Sequence, residues 1–201
     1  MIKIPIYIDS STWLDYFLPD RQENYQNAKR QIERIRDVSD YFLISSLVVM
    51  EIVGVVRQRV VEREIYSNLS DEKKREIKIK ANSEVQRILQ GLLALENQHR
   101  LMVVNPSGDA SDFLNQSLCL LRNLNINEIG DIESRNRCSK CHGNLPNPKY
   151  KLVCLGHYDF QHAFIARQHH ATEIVSSDRA FRYLPSFEEF RGIQITNPRL
   201  A

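Results

Sequence analysis

The chain has 201 residues and a mass of 23.5 kDa, enough for one domain with a sizeable core. Its 42% apolar and 26% charged residues lie near the globular average, which excludes collagen, coiled coil and wholesale disorder. Lys plus Arg total 27 against 25 Asp plus Glu, and a balance of +2 neither announces nor excludes a nucleic-acid partner. There is no GxGxxG and no GxxxxGK[ST], so no Gly-rich phosphate cradle is expected. The longest apolar stretch, 44–56, is broken by Ser45, Ser46, Glu51 and Gly54 and is too short and polar to span a bilayer. The N-terminal segment reads as a strand, not as a secretory leader. A cytoplasmic protein without a membrane partner is the expectation.

Ile4–Ile8 is β-rich and apolar apart from Pro5, and Asp9-Ser10-Ser11 ends it. This predicts a buried strand running into a capped helix over Thr12–Leu18. Ala28, Ile32, Ile35 and Val38 give helical spacing within 23–38. Tyr41–Ile44 is a second strand, and Ser45-Ser46 can cap a helix from Leu47 that is apolar nearly all round and expected to be buried. Residues 57–100 are highly charged with a sparse apolar stripe, which predicts one or two long helices broken near Ser67–Ser70 and capped again by Ser70. A strand over Leu101–Val104 and an amphipathic helix over Ala110–Leu124 follow. Residues 125–157 are polar, with little periodicity, and read as an insertion. A helix over Tyr158–His170, a strand over Thr172–Val175, a helical turn over Arg179–Tyr183 and a last strand over Ile193–Ile195 complete the chain. Strands alternating with helices imply a parallel sheet with helices on both faces, in one domain carrying insertions at 57–100 and 125–157.

Four carboxylates stand out. Asp9 and Asp178 follow buried strands, at the carboxyl ends where open α/β sheets bind ligands. Glu51 lies inside an apolar run, where an unpaired charge is strongly disfavoured. Asp159 opens a helix, a place the helix dipole also favours for an acid. Each has a plain structural explanation as cap, turn residue, dipole partner or ion pair. Convergence of all four would raise at least one pKa by like-charge crowding, or require a divalent ion such as Mg²⁺ or Mn²⁺. Such a site can activate water against a phosphodiester.

In the order apolar strand–Asp9-Ser10-Ser11, Glu51 in an early helix, Asp159 opening a late helix and strand–Ser176-Ser177-Asp178, the chain resembles a PIN domain, specifically the VapC-like ribonuclease toxins of type II toxin–antitoxin pairs. The segments carrying the resemblance are IYIDSSTWL and YDFQHAFIARQHHATEIVSSDRAF, and it covers residues 1–57 and 158–196. The resemblance implies a three-layer α/β/α fold with a short parallel sheet. It implies a Mg²⁺- or Mn²⁺-dependent endoribonuclease with Asp9, Glu51, Asp159 and Asp178 as its acidic positions, leaving 5′-phosphate and 3′-hydroxyl ends. Ser11 or Ser176 matches hydroxyl positions that help hold water or metal. RNA, a small antitoxin protein and a second copy of the chain are the partners it suggests. The insertions lie outside the minimal family pattern, so a toxin and an RNA-processing nuclease both stay open. The alternative is a non-catalytic RNA- or protein-binding module on the same scaffold. A haloacid-dehalogenase-like phosphatase is discounted, because Ser11 stands where its second Asp is needed.

Cys138-x₂-Cys141 and Cys154-x₂-His157 flank a loop at a spacing that suits tetrahedral structural zinc, with His142 the rival fourth ligand and free thiols the alternative. Lys140, Lys149 and Lys151 with Arg135 and Arg137 give this insertion a basic lean that could grip a phosphate backbone, with a solvated polar surface the alternative. Cys119 and Trp13 read as core residues, and His162 as an exposed helix position without a catalytic role.

Overall fold

The computed structural model describes residues 5–18, 22–38, 41–62, 69–98, 100–105, 157–186 and 188–200. The helix expected over Ala110–Leu124, Cys119, and the insertion bearing Cys138, Cys141, His142 and Cys154 lie outside these residues, and of His157 only the backbone is described. Five strands, β1 (Ile6–Ile8), β2 (Phe42–Ser45), β3 (Leu101–Val104), β4 (Glu173–Val175) and β5 (Gln194–Thr196), form one all-parallel sheet in the order β3-β2-β1-β4-β5. The helices are α1 (Ser10–Phe17), α2 (Gln22–Val38), α3 (Ser46–Glu62), α4 (Asp71–Asn97) and α5 (His157–Gln168), with short 3₁₀ segments after β4 and β5. The architecture is α/β, consistent with three layers. Among the described residues no helix is long and apolar enough to cross a membrane.

The central strands β1, β2 and β4 are buried throughout, so they do not alternate apolar with polar; Ser45 and Glu173 are the polar exceptions, and Glu173 pairs with Arg34. Tyr7 pairs with Leu43 on one side and Ile174 on the other, and the ladder continues past the strand ends where Asp9 N–H donates to the Val175 carbonyl at 2.9 Å. From β1 the chain builds outward to β2 and β3, then returns across β1 to add β4 and β5. The winding reverses between β1 and β4, and the crevice at their carboxyl ends is where such sheets bind ligands.

Ser45 caps α3 by accepting from Val48 N–H at 3.3 Å, and Ser70 caps α4 by accepting from Lys73 N–H at 3.3 Å. Helix α3 is less buried than its composition suggests. Among its described side chains only Val48, Ile52 and Val56 are buried, four residues apart on one face, and Met50 is 69% exposed. A stripe of that width is enough to seat the helix on the core. Charged α4 is not peripheral. Its Val85, Ile88 and Leu92 join the main core, and only Ile77 and Ala81 pack separately, with Leu69. Trp13 is fully buried, stacked on Phe17 at 5.8 Å and edge-on to Phe42 at 5.8 Å, so it is core and not a platform for a base.

The C-terminal 3₁₀ turn is fastened to α1 by a two-pronged ion pair. Arg199 Nε donates to Asp15 Oδ2 at 2.8 Å and Arg199 Nη2 to Oδ1 at 2.6 Å, with Asp15 buried. Removing one partner of such a pair strands a buried charge. Arg199→Ala should therefore cost about 3 kcal/mol of unfolding free energy. Urea denaturation at constant slope checks this, and a loss below about 0.5 kcal/mol would mark the pair as an ordinary surface contact.

Candidate functional site

Asp9 ends β1 and begins α1. Its extended backbone lets the side chain turn back onto the helix, where Oδ2 accepts from Ser11 N–H at 3.3 Å. The same oxygen accepts from Ser11 Oγ at 2.6 Å and from Ser176 Oγ at 2.9 Å. Each hydroxyl has one proton, so each spends it on Asp9. Their remaining lone pairs take backbone donors, Ser177 N–H onto Ser11 at 3.0 Å and Asp178 N–H onto Ser176 at 3.1 Å. The turns after β1 and β4 are thereby clasped around one carboxylate that is only 4% exposed. These bonds to the Asp9 side chain all end on Oδ2. Oδ1 faces His162, whose Nε2 lies 3.8 Å away.

Glu51 reaches this place from α3. Its side chain is 28% exposed, so it flanks the core instead of being sealed in it. Oε2 accepts from Ser10 Oγ at 2.6 Å and from His162 Nε2 at 3.0 Å. His162 comes from α5, is 1% exposed, and holds its other nitrogen, Nδ1, 2.6 Å from Tyr7 Oη. Tyr7 Oη lies 2.8 Å from Ser45 Oγ. One candidate ligand atom from each of Asp9, Glu51 and His162 lies within 4.8 Å of the other two.

Asp9 and Glu51, chosen on sequence grounds, are thus brought together. Asp159 sits in the first turn of α5, one turn before His162, close enough that its charge favours the protonated imidazole. Asp178 lies at the same end of the sheet but is exposed, and its Oδ1 caps the following turn by accepting from Ala180 N–H at 2.8 Å. The sequence reading placed His162 outside the site, and the structure puts it at the centre. The available signal was its context. Phe160, Ala163, Phe164, Ile165 and Ala166 bury α5 nearly all round, and a polar side chain there must find partners.

The electrostatics follow from His162. Burial alone would push its imidazole down, but the Glu51 hydrogen bond and the negative charges of Asp9, Glu51 and Asp159 outweigh this and raise it above its ordinary 6.5. Burial likewise pushes Glu51 up, and the His162 hydrogen bond and charge with the Ser10 hydrogen bond bring it below its ordinary 4.5. Crowding of like charge does not raise this acid, because an imidazolium supplies the opposing charge. Tyr7 is raised well above its ordinary value, chiefly by burial, and stays a neutral phenol. Comparison with protein-family models and with curated proteins finds no match.

A raised histidine stabilises the fold fully below its unfolded pKa and loses that contribution as pH climbs through the folded value. A lowered glutamate contributes above its unfolded pKa and loses it as pH falls through the folded value. The Glu51–His162 pair should therefore contribute most between the two ordinary values, 4.5 and 6.5, and fade on the alkaline side above the latter. Denaturation midpoints of chelator-treated protein should fall above pH 6.5, and His162→Gln should flatten that decline. An unchanged slope in the variant would assign the decline to other groups.

Proposed function

We propose that the chain is a PIN-like, divalent-metal-dependent endoribonuclease of the cytoplasm, working as an RNA-processing enzyme or as the toxin partner of a small antitoxin. The observation that carries this reading is the pairing of Asp9 with Glu51 at the point where the sheet's winding reverses, beside His162. The donor chemistry fits a hard cation. Asp9 Oδ1 and Glu51, whose Oε2 lies beside His162 Nε2, are the oxygens this reading offers to Mg²⁺ or Mn²⁺. Asp159 and Asp178, at the same end of the sheet, are the further acids this reading assigns to the metal.

A divalent ion bound there would supply the charge that activates water and steadies the leaving oxygen of a phosphodiester. The protein's part is positioning. Ser11 and Ser176 hold Asp9 in one rotamer, and Ser10 with His162 does the same for Glu51. Tyr7 and Ser45 hold the ring of His162 from behind. The site's oxygens are fixed before a substrate arrives, which is where preorganised electrostatics gain their effect. A structural zinc at Cys138, Cys141, Cys154 and His157 belongs to the same proposal. Its support is the ligand spacing and the position of His157 as the first residue of α5, two residues before Asp159. Zinc there would fix the start of the helix that carries Asp159 and His162. Metal analysis of the purified protein should give one zinc per chain, lost in a Cys138→Ser/Cys141→Ser variant.

A second reading, a non-catalytic RNA- or protein-binding module, is favoured by one observation. His162 already offers positive charge to both carboxylates, so the cluster has compensation without metal. Cleavage of labelled RNA separates the two. Partners outside the ligand sphere are typically worth about 10–100-fold, so with Mn²⁺ present Asp9→Asn should reduce cleavage by at least about 100-fold while RNA binding persists. RNA bound but left intact by wild-type protein in Mg²⁺ and in Mn²⁺ would favour the module.

A further inference from the structure

His162 does more than balance charge. It presents Nε2 to the same small volume as Asp9 Oδ1 and Glu51 Oε2, at 3.8 Å and 3.0 Å. Ligands at right angles around one ion, each at about 2.1 Å, lie about 3.0 Å apart, and opposite ligands about 4.2 Å. Both distances fall within that range. A cation entering this volume would meet a nitrogen as well as oxygens.

The far side of the ring is independently prepared for such a role. Ligating histidines almost always donate their second N–H to a fixed acceptor, which sets the tautomer and the ring plane. Nδ1 of His162 lies 2.6 Å from Tyr7 Oη, and Tyr7 Oη lies 2.8 Å from Ser45 Oγ. Tyr7 sits on β1, Ser45 ends β2, and both side chains are fully buried. With Nδ1–H donated to Tyr7 and the phenol proton donated to Ser45, the Nε2 edge is turned to the carboxylates and cannot swing to solvent. Before metal binds, Nε2–H rests on Glu51 Oε2. A cation held there would require that proton to leave to water, freeing the Nε2 lone pair.

We propose that His162 is a metal ligand through Nε2, oriented by Tyr7 and Ser45, and that the resulting nitrogen–oxygen set selects Mn²⁺ over Mg²⁺. The inference rests on the reading of Asp9 and Glu51 as a divalent site. Its physical basis is the preference of Mg²⁺ for all-oxygen sets and the greater affinity of later divalent metals for imidazole. Tyr7 is then a positioning residue acting through His162.

The test uses full-length protein freed of metal, then loaded with Mn²⁺, an ion that cysteine thiolates hold poorly. Pulsed electron paramagnetic resonance should show modulation from a directly bound imidazole ¹⁴N in wild-type protein and none in His162→Gln. Calorimetric titrations should give Mn²⁺ a preference over Mg²⁺ of at least about tenfold in wild type, shrinking towards parity in His162→Gln. Tyr7→Phe should weaken Mn²⁺ by about 10–100-fold with less effect on Mg²⁺. Mn²⁺ bound without the nitrogen signal in wild-type protein would overturn the role of His162 and leave the carboxylate site standing, whatever the variants do. No binding of either ion would overturn both.

Discussion

A carboxylate buried at the centre of a parallel sheet is the constraint around which this molecule is arranged. Asp9 cannot reach water to any extent, and an ionised group so placed is strongly disfavoured unless donors and opposite charge surround it. Two serine hydroxyls and a backbone N–H answer one oxygen, and a histidine stands before the other. Those groups come from the turn after β1, the turn after β4 and helix α5. Meeting the demand of one oxygen pair therefore fixes how far-separated parts of the chain adjoin. Ser176 can reach Asp9 only if β4 lies beside β1, and the observed register brings their ends level, with Ile8 opposite Val175.

The two oxygens of Asp9 divide two roles that sequence reasoning treated as rivals. Oδ2 is the helix cap and the clasp between strand ends; Oδ1 belongs to the site. A similar division holds for His162, whose Nδ1 is anchored on Tyr7 and whose Nε2 meets Glu51. The result is a continuous run of polar contacts from Ser45 through Tyr7 and His162 to Glu51 and Ser10. It lies in a region where low dielectric strengthens each satisfied contact and makes each unmet one costly. Loss of any member is thus expected to be felt at the next, which is the condition for a site held rigid before it is used.

Much of this frame was legible beforehand, and the reasons are local. The strands around β1, β2 and β4 declare themselves because burial on both faces makes them mostly apolar, and Ser45 and Ser70 mark helix starts because few residues satisfy a free N–H as well. Asp9 and Glu51 were visible because each interrupts an apolar context. What could not be read was orientation. The all-round apolar look of α3 concealed a buried stripe that leaves Met50 outside, and the sparse apolar stripe of α4 did not tell that Val85, Ile88 and Leu92 join the main core while Ile77 and Ala81 pack apart. His162 was missed for a related reason. A histidine on a helix is unremarked until the neighbouring helix faces are known to be covered, and that is a property of the packed sheet, not of the helix. Asp178 shows the converse, a residue at the expected end of the sheet whose carboxylate serves its own turn.

The energetics also argue about why such a cluster is there at all. Buried ion pairs are poor sources of stability, since desolvation offsets most of the attraction, and well-packed apolar replacements are often as stable or more so. A fold needing only to hold β1 beside β4 could do so with aliphatic side chains in place of Asp9, Ser176 and His162, as Ile8 and Val175 already do one residue earlier. The polar cluster begins where the strands end and the winding of the sheet reverses, and Glu51 reaches it from α3 with part of its side chain still open to solvent. The cluster is desolvated on its inner side, at Asp9 and His162, and partly open to solvent on its outer side, at Glu51. Such an arrangement costs folding stability at a single location, a cost that the proposed metal site would account for.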